Sequence, residues 1–451
     1  MRGPFAACFV LVLLAGGALP VEAQPPGPEQ CEERTDARGV QWAKNEHNWL
    51  SNVWEIETRE IALDWCRLRN TTGKEQQVNQ AEDVARVVFT GDGIHPTVGT
   101  VAPNSGLGGG LALNLERAST VHPLRFDGHG EVRGSTSGSW AAGATLNIRG
   151  SGKGRETGHA YGSIEVEHVL ATERAFFGAS PAGSPIETRF RLAQTSARGV
   201  YHTPERGGAS LFGEAGLADF SPGAASNSSL PTIGAVFNDT VAPGLSSATT
   251  YVVWGGGLNW KYPVDERSAG YSTQLSASLR SYEAKGDPYS FQRADVTWAE
   301  QYTPDTSRDV GTFSTTARLL TSTARSGSRM PFYLQPTLGG TDIEHEGGLR
   351  SYSYDRFRAA DLLAFQAEYT KTVFGPVAVL GFVDLGQVMS SLSAIDSSQW
   401  HHSEGVGLTF RAGNVAYFRI FYAWGGSEGS RFGATGDSNH IALDGAKRGV
   451  F

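Results

Sequence analysis

Short strand-like segments separated by glycine-rich turns repeat from about residue 84 to the end of the chain. The segments are roughly ten residues long and show no helical period. At about 21 residues per strand with its connection, this region holds around sixteen strands. An open sheet of that size would leave edges that need protection, so an even-stranded antiparallel barrel is predicted. The legible segments are residues 106–117, 124–135, 139–150, 159–170, 187–197, 251–262, 270–283, 290–302, 310–321, 360–374, 376–388, 403–412, 415–424 and 439–451, whereas residues 200–250 are less clear.

The composition admits two kinds of all-β protein. Beyond the first 23 residues no run of about 18 or more apolar residues occurs, so no helix of membrane-spanning length is predicted. Hydrophobic residues make up 39% of the chain, which also contains 57 glycines. This balance suits a soluble β protein or a membrane barrel whose strands alternate apolar and polar faces. The net charge of −8 argues against nucleic acid as a partner.

The lengths of the last connections favour the membrane barrel. Gly375-Pro376 and Gly413-Asn414 form tight turns, whereas residues 389–402 and 425–438 form long, polar connections. Outer-membrane barrels show this asymmetry, with short periplasmic turns and long outer loops. We therefore predict an all-β fold, a sixteen-stranded antiparallel transmembrane β-barrel over residues 86–451.

The period of two along a strand predicts which side chains face the barrel interior. In segment 360–374, Phe365 lies on the apolar face and Glu368 on the polar face. In segment 376–388, Val383 lies outward, which places Asp384 and Gly386 inward. Two carboxylates on neighbouring strands are thus predicted to face one lumen.

An arginine precedes these two strands in a glycine-led, aromatic-flanked stretch, Gly347-Gly348-Leu349-Arg350-Ser351-Tyr352. A guanidinium fork pairs bidentately with carboxylates in a confined space. We predict that Arg350 folds into the lumen between Glu368 and Asp384, and we call these ion pairs the Arg350 lock. One interpretation makes the lock a structural ion pair, and the other makes it part of a gating or assembly mechanism.

The N-terminus reads as a secretory signal peptide over residues 1–23. Arg2 supplies the positive charge, residues 5–14 the apolar run, and Val21-Glu22-Ala23 a cleavage site with small residues. The exported chain then holds Cys31 and Cys66. In an oxidising compartment these form a disulfide or remain two free thiols.

Residues 24–85 differ from the barrel region. Their large apolar residues recur every seventh position, at Trp42, Trp49, Ile56 and Leu63, which predicts one face of an amphipathic helix over residues 39–69. Packing on its own domain or on a partner is one interpretation, and a membrane-surface or plug helix is the other. We expect a short periplasmic segment that could bind a periplasmic protein or a lipoprotein.

No constellation in the sequence predicts an enzyme. Gly436-Asp437-Ser438 and the serine-rich stretch 134–138 resemble hydrolase motifs, but neither lies on a strand-to-helix turn. His401-His402 with Glu404 carries metal-ligating groups, yet adjacent histidines on an exposed loop are usually solvated. No catalytic activity, cofactor or metal is predicted.

The ordered motifs of residues 95–451 resemble those of the BamA/TamA-like outer-membrane assembly proteins, the bacterial surface antigen family. Leu349-Arg350-Ser351-Tyr352 is similar to the family's Val/Leu-Arg-Gly-Phe/Tyr loop, and Phe382-Val383-Asp384-Leu385-Gly386 to its Phe-x-Asp-x-Gly element. The final Phe451 is similar to the family's assembly signal. Upstream, Arg174-Ala175-Phe176-Phe177-Gly178 looks like an outer-strand stretch of the same family.

Two departures accompany this resemblance. Ser351 stands where the family has glycine, and the segment before the barrel is too short for one of the family's periplasmic POTRA modules. The resemblance implies a barrel-only member in the bacterial outer membrane, embedded as a monomer in outer-membrane lipid. It implies a loop that folds inward between the eleventh and twelfth barrel strands. The implied role is outer-membrane protein or lipid assembly or transport, and the alternative is a passive pore or a structural outer-membrane protein.

Overall fold

The computed structural model describes residues 93–118, 124–150, 161–226, 228–262, 270–303, 311–340, 348–374, 377–412, 415–426 and 428–436. These residues fold almost entirely into β-strands. The strands are β1 Gly93–Gly99, β2 Gly108–Ala118, β3 Leu124–Ser135, β4 Trp140–Gly150, β5 Tyr161–Phe176, β6 Thr188–His202, β7 Ala209–Ala224, β8 Thr249–Tyr262, β9 Tyr271–Ala284, β10 Phe291–Tyr302, β11 Thr312–Ala324, β12 Thr337–Leu338, β13 Phe357–Arg358, β14 Asp361–Phe374, β15 Val377–Met389, β16 His401–Ala412, β17 Val415–Trp424 and β18 Ser430–Gly436. A four-residue helix, α1 Ile233–Val236, and the 3-10 helices Phe332–Leu334, Leu392–Ala394 and Ser397–Gln399 lie between strands.

Sixteen of these strands form one antiparallel sheet. Each strand pairs with its neighbours in sequence, and β11 pairs with β14 because β12 and β13 form a separate two-stranded ladder inside the β11–β14 connection. The first and last strands, β1 and β18, approach each other with Cα atoms within 8 Å. The predicted sixteen-stranded antiparallel barrel is therefore confirmed.

Side chains alternate between the two faces of each strand, as the period of two requires. On β15, Val383 and Leu385 are exposed on the outer face, whereas Phe382 and Asp384 are buried on the inner face. Phe365 on the neighbouring β14 is also exposed. The barrel thus turns apolar side chains outward and encloses polar ones, the reverse of a soluble sandwich.

A row of exposed aromatic residues marks one end of the barrel. Tyr302 on β10 lies opposite Tyr271 on β9 and Phe313 on β11, and Phe313 lies opposite Tyr369 on β14. All four rings are exposed on the outer face. Membrane barrels carry such aromatic girdles at the membrane–water interface.

The longer connections meet at the opposite end of the barrel and close it with an apolar core. Phe332, Tyr333 and Leu334 of the β11–β14 connection are buried there against Phe176 and Phe190, which belong to β5 and β6. Phe332 meets both of these rings edge to face, with ring centroids 5.1 and 4.9 Å apart. The β11–β14 connection therefore packs inside the upper barrel.

The last described strand lies at a different position from the one predicted from the sequence. Residues 425–438 were expected to be a loop, but β18 occupies Ser430–Gly436. The strand expected over residues 439–451 lies outside the described residues. The connection from β17 needs only residues 425–429, because Gly425, Gly426 and Gly429 adopt positive φ angles of 117°, 65° and 86°. In the unclear region 200–250, β7 and α1 are found.

Several predictions lie outside the described residues. These are the signal peptide of residues 1–23, the segment 24–85 with its helix, the cysteines Cys31 and Cys66, and the terminal Phe451. Among the residues that the structure does describe, no helix is both long enough and apolar enough to span a membrane.

Candidate functional site

The site begins with two apolar anchors that flank Arg350 in the β11–β14 connection. Leu349 and Tyr352 are fully buried in a cluster with Leu338, Phe357 and residues at the ends of the neighbouring strands β11, β14 and β15. Burial of these side chains on both sides of Arg350 holds the backbone close to β15. The arginine is thereby directed into the barrel, where it is only 5% exposed.

Arg350 and Asp384 share a dense set of hydrogen bonds. The Arg350 Nη2 donates to Asp384 Oδ1 at 2.7 Å, and Nε donates to Oδ2 at 3.1 Å. The backbone N–H of Arg350 donates to the same Oδ2 at 3.1 Å. Asp384 is 0% exposed, so its charge is balanced by this one residue's side chain and amide. Such bidentate, charge-assisted pairs are the strong ones.

Glu368 completes the pairing from the neighbouring strand β14. Arg350 Nη1 donates to Glu368 Oε2 at 3.0 Å. The other oxygen of Glu368 accepts from Thr370 at 3.2 Å and lies 3.6 Å from Arg419 Nη1 on β17. The structure therefore brings together the three residues of the predicted lock, and adds Arg419 as a second cation beside Glu368.

The Phe382 ring provides the floor of this arrangement. The Arg350 guanidinium carbon lies 3.5 Å from the Phe382 ring centroid, close enough for a cation–π contact. Burial lowers the pKa of Arg350, but the charges and hydrogen bonds of Asp384 and Glu368 outweigh burial and raise that pKa above its ordinary value. Arg350 thus remains a cation inside the barrel.

Ser351 and Tyr352 attach the same stretch to the last strands. The Ser351 N–H donates to the Ser403 hydroxyl on β16 at 2.8 Å, and the Ser351 hydroxyl donates to the Gly425 carbonyl at 3.2 Å. Arg431 on β18 donates to the Tyr352 carbonyl at 2.6 Å. A glycine at 351 would lack the hydroxyl bond, so the departure from the family motif adds a contact.

Gly386 makes room for the loop. A Cβ at this inward position would lie 2.9 Å from Leu338 Cδ1, tighter than side chains allow. Leu338 belongs to β12 of the same connection and is fully buried. The glycine of the Phe-x-Asp-x-Gly element therefore lets the loop pack directly on β15.

A second buried ion pair was not foreseen from the sequence. Asp355 accepts two hydrogen bonds from Arg174 on β5, from Nη2 at 2.9 Å and from Nε at 3.2 Å. Thr337 donates to it at 3.2 Å, and Arg358 Nη2 lies 3.7 Å away. Burial raises the pKa of Asp355, but Arg174 and Arg358 outweigh burial and hold that pKa below its ordinary value. The only local signal was the charged pair Asp355-Arg356 within an aromatic run.

Two buried arginines hold the upper turn of the connection by its carbonyl groups. Arg358 Nη1 donates to the Phe332 carbonyl at 2.6 Å and to the Gln335 carbonyl at 3.3 Å. Arg293 on β10 donates to the Leu334 carbonyl. The connection is therefore fastened to β5 and β10 as well as to β14, β15, β16 and β18.

Two of the rival sites named from the sequence lie on described residues, whereas Asp437 and Ser438 of the third lie outside them. Neighbouring residues on a strand point to opposite faces, so His401 and His402 at the start of β16 cannot ligate one ion together. His401 instead stacks on Phe357, with ring centroids 3.8 Å apart. Within the described ranges no three metal-ligating side chains come together. The stretch 134–138 ends β3 and turns into β4, which gives a strand-to-strand hairpin.

Known proteins resemble this chain in structure and not in sequence. No family model and no curated protein sequence matches it. BamA from Haemophilus ducreyi lacking POTRA domains 1-3 superposes on 76% of this chain and 69% of its own, with a TM-score of 0.52 and 12% identity. CdiB from Acinetobacter baumannii gives a TM-score of 0.45 at 11% identity, and CdiB from Escherichia coli 0.43 at 15%. This chain covers 58% of each CdiB chain, less than two thirds of its length. The similarity to BamA concerns the fold: this chain forms a sixteen-stranded barrel of the BamA type.

Proposed function

We propose that this protein is a bacterial outer-membrane barrel that acts in the assembly or transport of outer-membrane proteins or lipid. The Arg350 lock holds an inward-folded loop across its lumen. One observation carries the proposal: a loop arginine is buried inside the barrel and pairs with Asp384 and Glu368 on adjacent strands. Loops folded into the interior plug some membrane barrels, so this loop favours a closed barrel over an open conduit.

Support for a membrane location comes from the outer face. Large exposed apolar side chains occur on strands all around the barrel, among them Val132, Ile164, Leu217, Trp254 and Val406. Soluble proteins rarely expose contiguous apolar patches larger than a few hundred Å². The aromatic row through Tyr302 and Phe313 fits the interface at the end with short turns.

Support for a closed barrel comes from the two ion pairs that hold the loop. Arg350 ties the loop to β14 and β15, while Asp355 ties it to Arg174 on β5. These anchors lie on separate parts of the barrel wall, so the loop crosses the lumen between them. Moving the loop out of the lumen would separate both ion pairs.

The role in assembly or transport rests on the position of the loop next to the last strands. Ser351 and Tyr352 bond to residues of β16, β18 and the β17–β18 connection. A loop that contacts these strands can transmit its position to the seam between β1 and β18, where lipid or a client strand would enter. This is the link between the lock and the proposed activity.

The alternative is a passive pore, and the lumen wall offers one observation in its favour. Inward-facing charges are paired along the wall: Arg198 lies 2.6 Å from Glu165, and Arg318 lies 2.7 Å from Asp295. Polar, charged interiors are typical of water-filled channels. The inner loop thus predicts little ion flow through the barrel, whereas the charged wall predicts steady ion flow.

Conductance in planar bilayers separates the two functions. A barrel closed by the loop should conduct little and erratically, and Arg350→Ala should raise both the frequency and the size of openings. A porin should conduct steadily, with the variant little different from wild type. Steady conductance by the wild-type protein would contradict the closed barrel.

A folding assay tests the assembly role directly. The full chain is reconstituted in liposomes, and a urea-unfolded eight-stranded barrel is added while its folding is followed by heat-modifiable migration. The protein should accelerate folding over empty liposomes, and Arg350→Ala should reduce the acceleration. Arg325→Ala, which removes an exposed guanidinium paired with Glu283, is the matched control. Equal rates with and without the protein would leave lipid transport as the remaining form of the proposal, to be measured by exchange of labelled lipid between vesicles.

We further propose that residues 24–85 bind a periplasmic protein or a lipoprotein. Support comes from the seven-residue repeat of Trp42, Trp49, Ile56 and Leu63, which would form an apolar stripe. A pull-down from outer membranes with this segment as bait should recover a partner that a variant with polar residues at Trp42 and Trp49 loses.

A further inference from the structure

The connection between β15 and β16 folds back against the outer wall of the barrel. Alternation along β15 places Leu385, Gln387 and Met389 on the outer face. Leu385 is exposed, whereas Gln387 and Met389 are each 1% exposed, so the wall is covered at this end of the strand. The adjoining connection covers Gln387, since Gln387 Nε2 donates to the Asp396 carbonyl at 3.0 Å. We call residues 390–400 the outer hook.

A second contact fixes the end of the outer hook on the same wall. The Trp400 ring stacks on the Phe365 ring of β14, with centroids 6.0 Å apart and an angle of 29° between the ring planes. Phe365 lies on the outer face and is 42% exposed. The outer hook is therefore attached to both β14 and β15 from outside, and it lies beside the apolar wall of the barrel.

The outer hook presents large apolar side chains and little charge. Leu392 is 39% exposed and Ile395 is 52% exposed, within a run of nine exposed residues over 390–398. The single charged residue of the outer hook is Asp396. Its carboxylate accepts from the Ser398 N–H at 2.9 Å. Exposed apolar groups with so few charges around them favour an apolar partner.

The outer hook also satisfies several of its own polar groups. The Ala394 N–H donates to the Ser391 carbonyl at 2.9 Å, and the Gln399 N–H donates to the Asp396 carbonyl at 3.1 Å, which closes two short 3-10 turns. The hydroxyls of Ser391 and Ser393 pair at 2.9 Å. Unsatisfied polar groups are costly in lipid, so these bonds lower the cost of moving the outer hook into a membrane interface.

We propose that the outer hook docks into the lipid surface at the loop end of the barrel, with Leu392 and Ile395 at the boundary between headgroups and acyl chains. Apolar side chains of interfacial segments reach about 5–10 Å into this boundary. The partner is lipid because the outer hook continues the exposed apolar wall through Phe365, and this face of a membrane barrel meets lipid. Trp400 suits the interface, since an indole joins an apolar ring to a polar N–H. The proposal rests on the membrane location of the barrel proposed above.

Fluorescence of single labels in vesicles tests the proposal. The exported chain, with Cys31 and Cys66 replaced by serine, receives one cysteine as Leu392→Cys or Ile395→Cys, labelled with a nitrobenzoxadiazole fluorophore. It is reconstituted in phosphatidylcholine–phosphatidylglycerol vesicles whose lipids carry a nitroxide either near the headgroup or deep in the acyl chain. The readouts are the emission wavelength and the loss of intensity that each nitroxide causes.

Two further labels give the references for lipid and for water. Val383→Cys lies exposed on the outer face near the middle of β15. Lys285→Cys lies exposed on the β9–β10 connection, where the native residue is charged. Because all four labelled positions are exposed, each label leaves the barrel folded, and heat-modifiable migration of every labelled protein checks this. If one of the two outer-hook labels prevents folding, the other carries the test.

The labels at Leu392 and Ile395 should emit at shorter wavelength than the label at Lys285. The nitroxide near the headgroup should quench them more than the deep nitroxide. The label at Val383 should show the reverse order of quenching, which tests the membrane location separately.

Three results would overturn the proposal. Water-like emission at Leu392 and Ile395, with the Val383 label quenched, removes the docking of the outer hook and leaves the membrane location standing. Short-wavelength emission that neither nitroxide quenches means that another protein molecule covers the outer hook. A Val383 label that neither nitroxide quenches removes the membrane location and the docking of the outer hook with it.

Discussion

Arg350 binds Asp384 with both its backbone amide and its guanidinium, although the two residues are 34 positions apart in the chain. The backbone amide and the guanidinium of Arg350 both bind the Asp384 carboxylate. Asp384 therefore orients the loop backbone and also neutralises the charge of Arg350. The contact therefore acts on the position of the whole loop.

Removing this arginine should destabilise the barrel. Arg350→Ala leaves the fully buried Asp384 carboxylate without its cation, whereas Glu368 keeps Arg419 nearby. The expected cost is about 3–5 kcal/mol in the free energy of unfolding. Arg350→Lys should restore only part of the lost free energy of unfolding, since an ammonium group lacks the planar fork that binds both Asp384 and Glu368. The measurement is the temperature at which the heat-modifiable folded band disappears on gels. Arg325→Ala, at an exposed pair, should cost no more than about 1 kcal/mol.

The same substitution should also expose the loop. In a chain whose Cys31 and Cys66 are replaced by serine, Ser353→Cys places a reporter thiol beside the anchored stretch. Adding Arg350→Ala should speed its labelling by a membrane-impermeant maleimide. Unchanged labelling would mean that Leu349 and Tyr352 hold the loop without the arginine.

Asp355 should make stability depend on pH in the acid range. Arg174 and Arg358 hold the pKa of Asp355 below its ordinary value of 3.8. A lowered pKa in the folded state means that the stabilisation is full above the unfolded value and is lost as the pH falls through the folded value. Wild type should therefore be more stable than Asp355→Asn at neutral pH, and this difference should shrink below about pH 3.8. Thermal unfolding of both proteins between neutral and acid pH measures this stability difference. A difference that stays constant over that range would contradict a lowered pKa for Asp355.

Substitution of Gly426 should strongly destabilise the protein, because the Tyr352 side chain occupies the space that a Cβ at position 426 would need. A Cβ at position 426 would overlap the Tyr352 hydroxyl, whereas a Cβ at Gly429 would meet nothing within 4 Å. Both glycines have positive φ angles, so alanine at either site costs of order 1–3 kcal/mol in backbone strain. Gly426→Ala should cost clearly more than Gly429→Ala. The double variant Gly426→Ala with Tyr352→Ala should be less destabilised than the sum of the single changes, as measured by thermal unfolding.

Deletion of Phe451 should impair insertion into the outer membrane. The resemblance to the BamA/TamA-like family implies that the terminal aromatic residue is read as an assembly signal. The fraction of heat-modifiable protein in outer-membrane preparations measures this, with Val450→Ala as the control for a change in the same segment. Normal folding of the shortened chain would contradict the prediction.

Local pattern accounts for what the sequence predicted about the barrel wall. The period of two places Glu368 and Asp384 on the polar face of their strands, because it follows from the pleat of a strand. In a membrane barrel that polar face is the inner one. The connection lengths likewise follow from short runs such as Gly375-Pro376. The residues of the Arg350 lock could therefore be named from sequence, since Arg350 lies only one connection away from the strands that carry its partners.

Contacts that cross the barrel required the tertiary structure. Arg174 meets Asp355, 181 positions away, only because closure of the sheet brings β5 opposite the loop. The position of β18 depended on three glycines with positive φ, which shorten a connection that reads as a long loop. Alternation along a strand is a property of neighbouring residues and is written in the sequence, whereas pairing across the lumen is set by how all sixteen strands close.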